Sequence, residues 1–174
     1  MSKLSSPRTK LRRLRLEDLE AMIELESDPD IVKFTPFVIP QSREETETRL
    51  RAQIAKTEEH EPLGIWAAVT KSDESFIGWF MLVKTQFEGP EIGFMLRKKF
   101  WGQGLATEIS KAILDFAFKD VQIKSAFATC NQENFASIRI LEKLGFQFFK
   151  IVPTKNRVTG QAFEINSYKL TTLG

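Results

Sequence analysis

The sequence predicts an α/β fold in which one mixed sheet of about seven strands is covered by about four helices. Three observations favour this class. Strand-like and helix-like hydrophobic patterns alternate along the chain. Three strand candidates follow one another between polar turns, which is typical of antiparallel pairing. A strand–helix–strand succession comes after them, and such a βαβ step makes one strand pair parallel. The length of 174 residues leads us to expect a single domain over residues 1–174.

The N-terminal segment predicts a strand followed by a helix. Basic residues and leucines alternate over residues 10–16, as in a strand with one face in water. Apolar residues at helical spacing then predict a helix that begins near Leu19. It is expected to end within residues 27–30, where a proline interrupts the pattern.

A loop and a second helix are predicted next. Residues 34–40 are apolar and contain two prolines, so we expect them to form a loop that crosses a surface. Ser42 and Glu45 have the spacing of a capping box, which marks the N-terminus of a helix. The charge-rich pattern that follows predicts that this helix continues to about residue 58.

The middle of the chain predicts three consecutive strands. Their hydrophobic runs cover residues 64–70, 76–83 and 91–96. A polar turn at residues 71–75 suits a hairpin between the first two, and Gly89-Pro90 marks the turn before the third. We therefore expect this part of the sheet to be antiparallel.

The C-terminal part predicts helix, strand, helix and two closing strands. The first helix buries one face, formed by Leu105, Ile109, Ala112, Ile113, Phe116 and Ala117. Residues 123–129 form the next strand, and apolar residues at every third position predict a helix over residues 135–144. Gly145 is well placed as its C-terminal cap. Residues 146–152 and 162–170 have the pattern of two further strands.

Composition excludes several classes of protein. A net charge of +2 is too small to indicate nucleic-acid binding, and the basic residues of the first strand belong to its wet face. A single cysteine, Cys130, rules out an internal disulfide framework and suits a reducing compartment. We see neither a membrane-spanning run nor a signal peptide. The expectation is a cytoplasmic protein without nucleic-acid or membrane partners, and composition leaves monomer and homodimer equally open.

The stretch at residues 97–108 predicts an anion site. A strand leads into two glycines, Gly102 and Gly104, and a helix pattern begins at once. Backbone N–H groups at a helix N-terminus point towards an anion, and the helix dipole favours negative charge there. Glycines lack Cβ atoms, so a phosphate can approach the main chain closely.

Two common phosphate-binding motifs with such a turn do not match this sequence. A P-loop requires lysine and then serine or threonine after its last glycine, but Leu105 and Ala106 follow Gly104. A dinucleotide fingerprint requires a third small residue where Thr107 stands. It also requires an acid some 20 residues later, and residues 122–124 contain none.

The sequence resembles a known family at two places. Residues 91–96, EIGFML, followed by residues 100–108, FWGQGLATE, resemble the acyl-CoA-binding core of the GNAT N-acetyltransferase superfamily. Residues 134–146, NFASIRILEKLGF, resemble that family's second signature. The combination is most similar to the branch of ribosomal-protein N-terminal (alanine/serine) acetyltransferases, whose opening basic strand and acidic helix match residues 11–27.

The resemblance implies acetyl-CoA as cosubstrate and assigns residues to it. Backbone groups of Met95, Leu96 and Arg97 would pair with the pantetheine arm, because the strand splays from its neighbour there. Amides would hold the pyrophosphate, namely those of Gly102, Gln103, Gly104, Leu105, Ala106 and Thr107. Asn134 and Ser137 would line the other side. Lys99 stands where the family has Gln or Arg, and a lysine can meet phosphate only as a point charge.

The chemistry requires a neutral amine and therefore a base. An α-amine has a pKa of about 8, so most of it is protonated at neutral pH. Glu91 starts the strand that would carry the thioester and is the candidate base; the alternative is an edge-strand carboxylate in a turn. The N–H of Met95 or Leu96 would stabilise the oxyanion. Ser137 is the first choice for protonating the leaving thiolate, against a purely cofactor-contacting role, and Tyr168 is the second.

These assignments predict an N-acetyltransferase that works by direct attack in a ternary complex, with no metal. The acceptor is a primary amine, and the branch resemblance favours a protein N-terminus. A small-molecule amine (a polyamine, an amino acid or an antibiotic) remains an alternative. Phe34, Phe37 and Trp79 are candidates for the acceptor pocket. A second class of protein, an acyl-CoA-binding module without turnover, would have no need for Glu91.

Overall fold

A computed structural model describes residues 4–35, 42–155 and 160–171. It contains one seven-stranded sheet of order β1-β2-β3-β4-β5-β7-β6. The strands are β1 (Thr9–Arg13), β2 (Gly64–Thr70), β3 (Phe76–Lys84), β4 (Pro90–Leu96), β5 (Ser125–Asn131), β6 (Gln147–Lys155) and β7 (Ala162–Thr171). All neighbouring strands are antiparallel except β4 and β5. The expected fold class and its single parallel step are confirmed.

Five α-helices accompany the sheet in the described residues, against about four expected. They are α1 (Leu19–Ser27), α2 (Pro29–Val32), α3 (Arg43–Glu59), α4 (Leu105–Lys119) and α5 (Phe135–Lys143). The additional one is the single turn α2, at the point where the first helix pattern was interrupted. Asp28 caps it by accepting the N–H of Asp30 at 2.9 Å, and Pro29 occupies its first turn, where no N–H is needed.

The predicted capping box is present at the start of α3. Ser42 Oγ accepts the N–H of Glu45 at 3.1 Å, and the Glu45 carboxylate accepts the N–H of Ser42 at 2.7 Å. The preceding apolar loop lies largely outside the described residues, which resume at residue 42. No helix among the described residues is both long and apolar enough to cross a membrane.

The two faces of the sheet pack against different helices. Helices α1 and α3 cover one face, which we call the α3 face; its core includes Met22, Leu25, Leu50, Ile65, Ala67, Val83 and Met95. Helices α4 and α5 cover the opposite α4 face, whose core includes Ile77, Phe80, Ile92, Ile109, Ile113, Ala126, Ala128, Leu141 and Tyr168. Side chains alternate between the faces along each strand, so the register assigns every strand residue to one of them.

Candidate active site

The parallel strands β4 and β5 open a gap in the middle of the sheet. Their register contains one paired position, Glu91 opposite Phe127. From there the strands diverge towards their C-terminal ends, whereas β4 stays paired with β3, and β5 with β7. Ligands of α/β sheets commonly bind outside the carboxyl ends of parallel strands. The gap between β4 and β5 is such a place.

The register of β3 and β4 determines which backbone groups face this gap. The N–H of Arg97 donates to the carbonyl of Ile77 at 2.9 Å, on the β3 side. Hydrogen-bonded and non-hydrogen-bonded pairs alternate along an antiparallel ladder. Met95 therefore also directs its backbone towards β3, while Phe94 and Leu96 direct theirs towards the gap. Of the three residues expected along the pantetheine arm, Leu96 faces the gap; Phe94 was not singled out from the sequence.

The glycine turn lies at the open end of the gap, between β4 and α4. Gly102 and Gly104 have φ angles of 72° and 74°, in the left-handed region that favours glycine. The N–H of Glu108 makes the first bond of α4, to the carbonyl of Gly104. The amides of Leu105, Ala106 and Thr107 consequently have no partner within the helix. A Cβ on Gly102 would meet no atom within 4 Å. The turn therefore has the amides and the open space that a pyrophosphate requires.

The N-terminal segment fixes this turn from outside. The Arg8 guanidinium donates to the carbonyl of Gln103 at 2.9 Å and to the Glu108 carboxylate at 2.7 Å. Ser6 Oγ also donates to Glu108, at 2.6 Å. Burial raises the pKa of Glu108, but these hydrogen bonds outweigh burial and hold the pKa below its usual value. The sequence analysis missed this anchor, because its partners lie about a hundred residues apart.

Arg97 and Lys99, the two cationic residues expected near the cofactor, differ from each other in their surroundings. Arg97 directs its guanidinium at Glu24 and at the carbonyl of Phe76, 3.2 Å away. Lys99 is exposed beside the turn, with its ammonium 5.1 Å from the ring centre of Phe100. Lys99 therefore faces solvent beside the turn. The described contacts of Arg97 instead join the end of β4 to α1 and β3.

The second predicted signature starts α5 at the end of β5. Asn134 is the N-cap, and its Oδ1 accepts the N–H of Ser137 at 3.1 Å. Because α4 follows β4 and α5 follows β5, both helix N-termini lie at the same edge of the sheet. Asn134 and Ser137 thus stand at the far side of the gap from the glycine turn.

Glu91 lies where the gap begins. Its side chain is on the α3 face and is only 9% exposed. Thr129 Oγ1 donates to Glu91 Oε1 at 2.6 Å, which fixes the carboxylate and leaves lone pairs for a second donor. Thr129 was not foreseen, because its contact with Glu91 spans 38 residues of sequence. The arrangement presents a buried, oriented carboxylate beside the gap.

Two other nucleophilic or acidic groups lie on the α4 face. Tyr168 is buried, and its hydroxyl is 3.4 Å from Nδ2 of Asn166. Burial raises the pKa of Cys130 to about 11. The thiolate is the nucleophilic form of cysteine, so Cys130 is poorly suited to carry an acyl group near neutral pH.

Comparison with known proteins identifies the family. The acetyltransferase (GNAT) domain model matches residues 8–147, and the chain therefore belongs to the GNAT acetyltransferase family. An uncharacterized N-acetyltransferase of Bacillus licheniformis, p20, is 25% identical over 180 residues, which cover 98% of this chain and 96% of that protein. The chain is thus an N-acetyltransferase, and the family implies acetyl-CoA as its cosubstrate.

Solved structures show the same fold. A GNAT-family acetyltransferase from Bacillus anthracis has a TM-score of 0.82 at 22% identity, with 96% of each chain covered. RimL, a ribosomal L7/L12 α-N-protein acetyltransferase in complex with coenzyme A, has a TM-score of 0.79 at 17% identity, with 95% of each chain covered.

Proposed function

We propose that this enzyme transfers an acetyl group from acetyl-CoA to a protein N-terminal α-amine by direct attack in a ternary complex. The observation that carries the proposal is the position of Glu91. This carboxylate is buried, oriented by Thr129, and located where β4 and β5 separate. A module that only bound acyl-CoA would have no need for a proton acceptor there. The choice of an N-terminus is supported by the likeness to RimL, which acts on a ribosomal protein.

The residues present fit acetyl-CoA, which supplies the thioester. The free amides of the glycine turn would hold the pyrophosphate, and the gap-facing backbone of Phe94 and Leu96 would accommodate the pantetheine arm. Asn134 and Ser137 would line the opposite side, and Lys99 would add a point charge at the phosphates. Of the two amides expected to stabilise the oxyanion, that of Leu96 faces the gap and is our assignment.

Glu91 would accept the proton that the α-ammonium must lose before it can attack. General-base catalysis of this kind contributes a factor of about 10² to 10⁴ in rate. As the new N–C bond forms and the C–S bond breaks, Ser137 would donate a proton towards the departing sulfur. Tyr168 is the second choice for this role, because its buried hydroxyl lies two strands away from β4.

The test is acetyl-CoA-dependent modification of N-terminal peptides. Purified enzyme should release coenzyme A in proportion to acetylated peptide detected by mass spectrometry. Acetyl-CoA should raise the melting temperature and NAD should not, since a ligand stabilises the state that it binds. A stabilising shift without coenzyme A release from any amine would instead indicate a binding module. Turnover with free polyamines but with no peptide would move the acceptor to the small-molecule class.

A further inference from the structure

The sheet surface next to Glu91 carries two cations. Glu91 is paired with Phe127, and Phe127 with Lys169. Directly paired residues project from the same face of a sheet, so the three side chains form one row across β4, β5 and β7. Thr129, Ser167 and Lys150 form the next row by the same reasoning. Lys169 and Lys150 therefore lie on the α3 face, as Glu91 does. They are on β7 and β6, the strands beyond β5 as seen from Glu91.

Aromatic rings hold both ammonium groups over this surface. The Nζ of Lys169 is 5.4 Å from the ring centre of Phe127 and 5.5 Å from that of Phe149. The Nζ of Lys150 is 5.4 Å from the Phe149 ring centre. Phe87 stacks on Phe127 at 4.7 Å and completes the cluster. Cation–π contacts attract an ammonium towards a ring without neutralising it, so the positive charge remains available.

No carboxylate balances these charges on their own strands. Glu164 is the single acidic residue within β5, β6 and β7. Its side chain lies on the α4 face, because side chains alternate along β7 and Tyr168, four positions later, is on that face. Among the described residues, none of the ion pairs involves Lys150 or Lys169. The surface formed by β5, β7 and β6 beyond Glu91 is thus positive, and neither of its lysines is neutralised by an ion pair with a described carboxylate.

We infer that the acceptor carries a negative charge close to its amine, as an N-terminal peptide with an acidic side chain within its first three residues does. This inference rests on the proposed function, because it places the amine at Glu91. Two strand spacings, about 10 Å, separate the Glu91 and Lys169 positions, and an extended peptide covers that distance in about three residues. A polyamine would instead place further positive charge against the two lysines.

Three peptides that differ only at positions two and three test this preference. With Asp, Asn or Lys at both positions, kcat/KM should fall in that order. We expect the Asp peptide to exceed the Asn peptide by roughly fivefold to tenfold at low salt, because half-exposed ion pairs are modest and are screened. The double substitution Lys150→Gln and Lys169→Gln should bring the Asp-to-Asn ratio close to one.

A matched control separates this effect from general charge loss. Lys119→Gln removes an exposed lysine at the end of α4 and should keep the wild-type ratio. Equal rates for the Asp and Asn peptides, or a ratio that survives the double substitution, would overturn the inference and leave the proposed function intact. Acetylation of spermidine in preference to all three peptides would also overturn it. Failure of every amine would overturn both.

Discussion

The two halves of the sheet differ in the aromatic side chains that they leave exposed. In the half that contains β1 to β4, Phe80 is 0% exposed and lies between the sheet and α4. In the half formed by β5, β7 and β6, Phe148 is 58% exposed and Phe149 is 45% exposed. The first half has helices on both faces, so its aromatic rings contribute stability. The second half leaves aromatic and cationic side chains accessible, which suits contact with a substrate.

The candidate site lies at the boundary between these halves. Strands β4 and β5 share one paired position there, and Glu91 occupies it. One half therefore supplies β4, the candidate base Glu91 and the glycine turn. The other half supplies Thr129, the start of α5 and the positive surface formed by Lys150 and Lys169.

The largest expected difference between the halves is in stability. Phe80→Ala should lower the free energy of unfolding by about 3–5 kcal/mol, because it leaves a cavity in the core and removes the stacking partner of Phe94. Phe148→Ala should change it by no more than about 0.5 kcal/mol, since that ring is largely in water. Urea denaturation measures both. Similar losses for the two variants would mean that the halves do not divide stability in this way.

A smaller effect tests the glycine turn. Gly104→Ala forces a residue with Cβ into a left-handed conformation, at a cost of about 1–2 kcal/mol, and should weaken acetyl-CoA binding about tenfold as the turn shifts. Gly160 is the matched control, because its φ is +70° and a Cβ there meets nothing within 4 Å, while a Cβ on Gly104 has only Arg8 Nη2, at 3.9 Å. Gly160→Ala should cost similar stability and leave the affinity unchanged in calorimetric titration. Equal affinities of the two variants for acetyl-CoA would show that the glycine turn does not contribute to cofactor binding.

The smallest effect concerns the anchor between Arg8 and Glu108. The folded-state pKa of Glu108 is lowered, so its contribution to stability is present above its unfolded pKa and is lost as pH falls through the folded value. Glu108→Gln should therefore cost about 1 kcal/mol at pH 7, and the difference from wild type should shrink below about pH 4. Glu47→Gln, which loses only a surface pair with Arg51, should cost a few tenths of a kcal/mol at pH 7. A Glu108→Gln deficit that is constant with pH would contradict the electrostatic origin.

Local patterns were sufficient to predict most of the fold. The strand periods, the capping box of Ser42 and the single parallel step depend on neighbouring residues and on short connections. The helix α2 was missed because one turn around Pro29 has no periodicity to detect. Contacts such as Thr129 with Glu91, and Arg8 with Glu108, depend on how distant segments meet, and no spacing along the chain encodes them.

The pairing register of the strands was the other feature that could not be predicted from the sequence. Whether Met95 or Leu96 faces the gap depends on the pairing of Arg97 with Ile77, and a shift by one residue would exchange them. The same holds for Lys150 and Lys169, whose common face follows from the bulge in β6 between Phe148 and Lys150. The residue types at the site could be listed from the sequence, but their directions required the structure.

The most direct test of this account is the pH dependence of Glu91→Gln. The variant should keep the stabilisation by acetyl-CoA and lose a factor of about 10² to 10⁴ in kcat/KM at pH 7. The deficit should shrink as pH rises above about 8, where the α-amine is already neutral. Wild-type rates at pH 7, or a deficit independent of pH, would show that Glu91 is not the base.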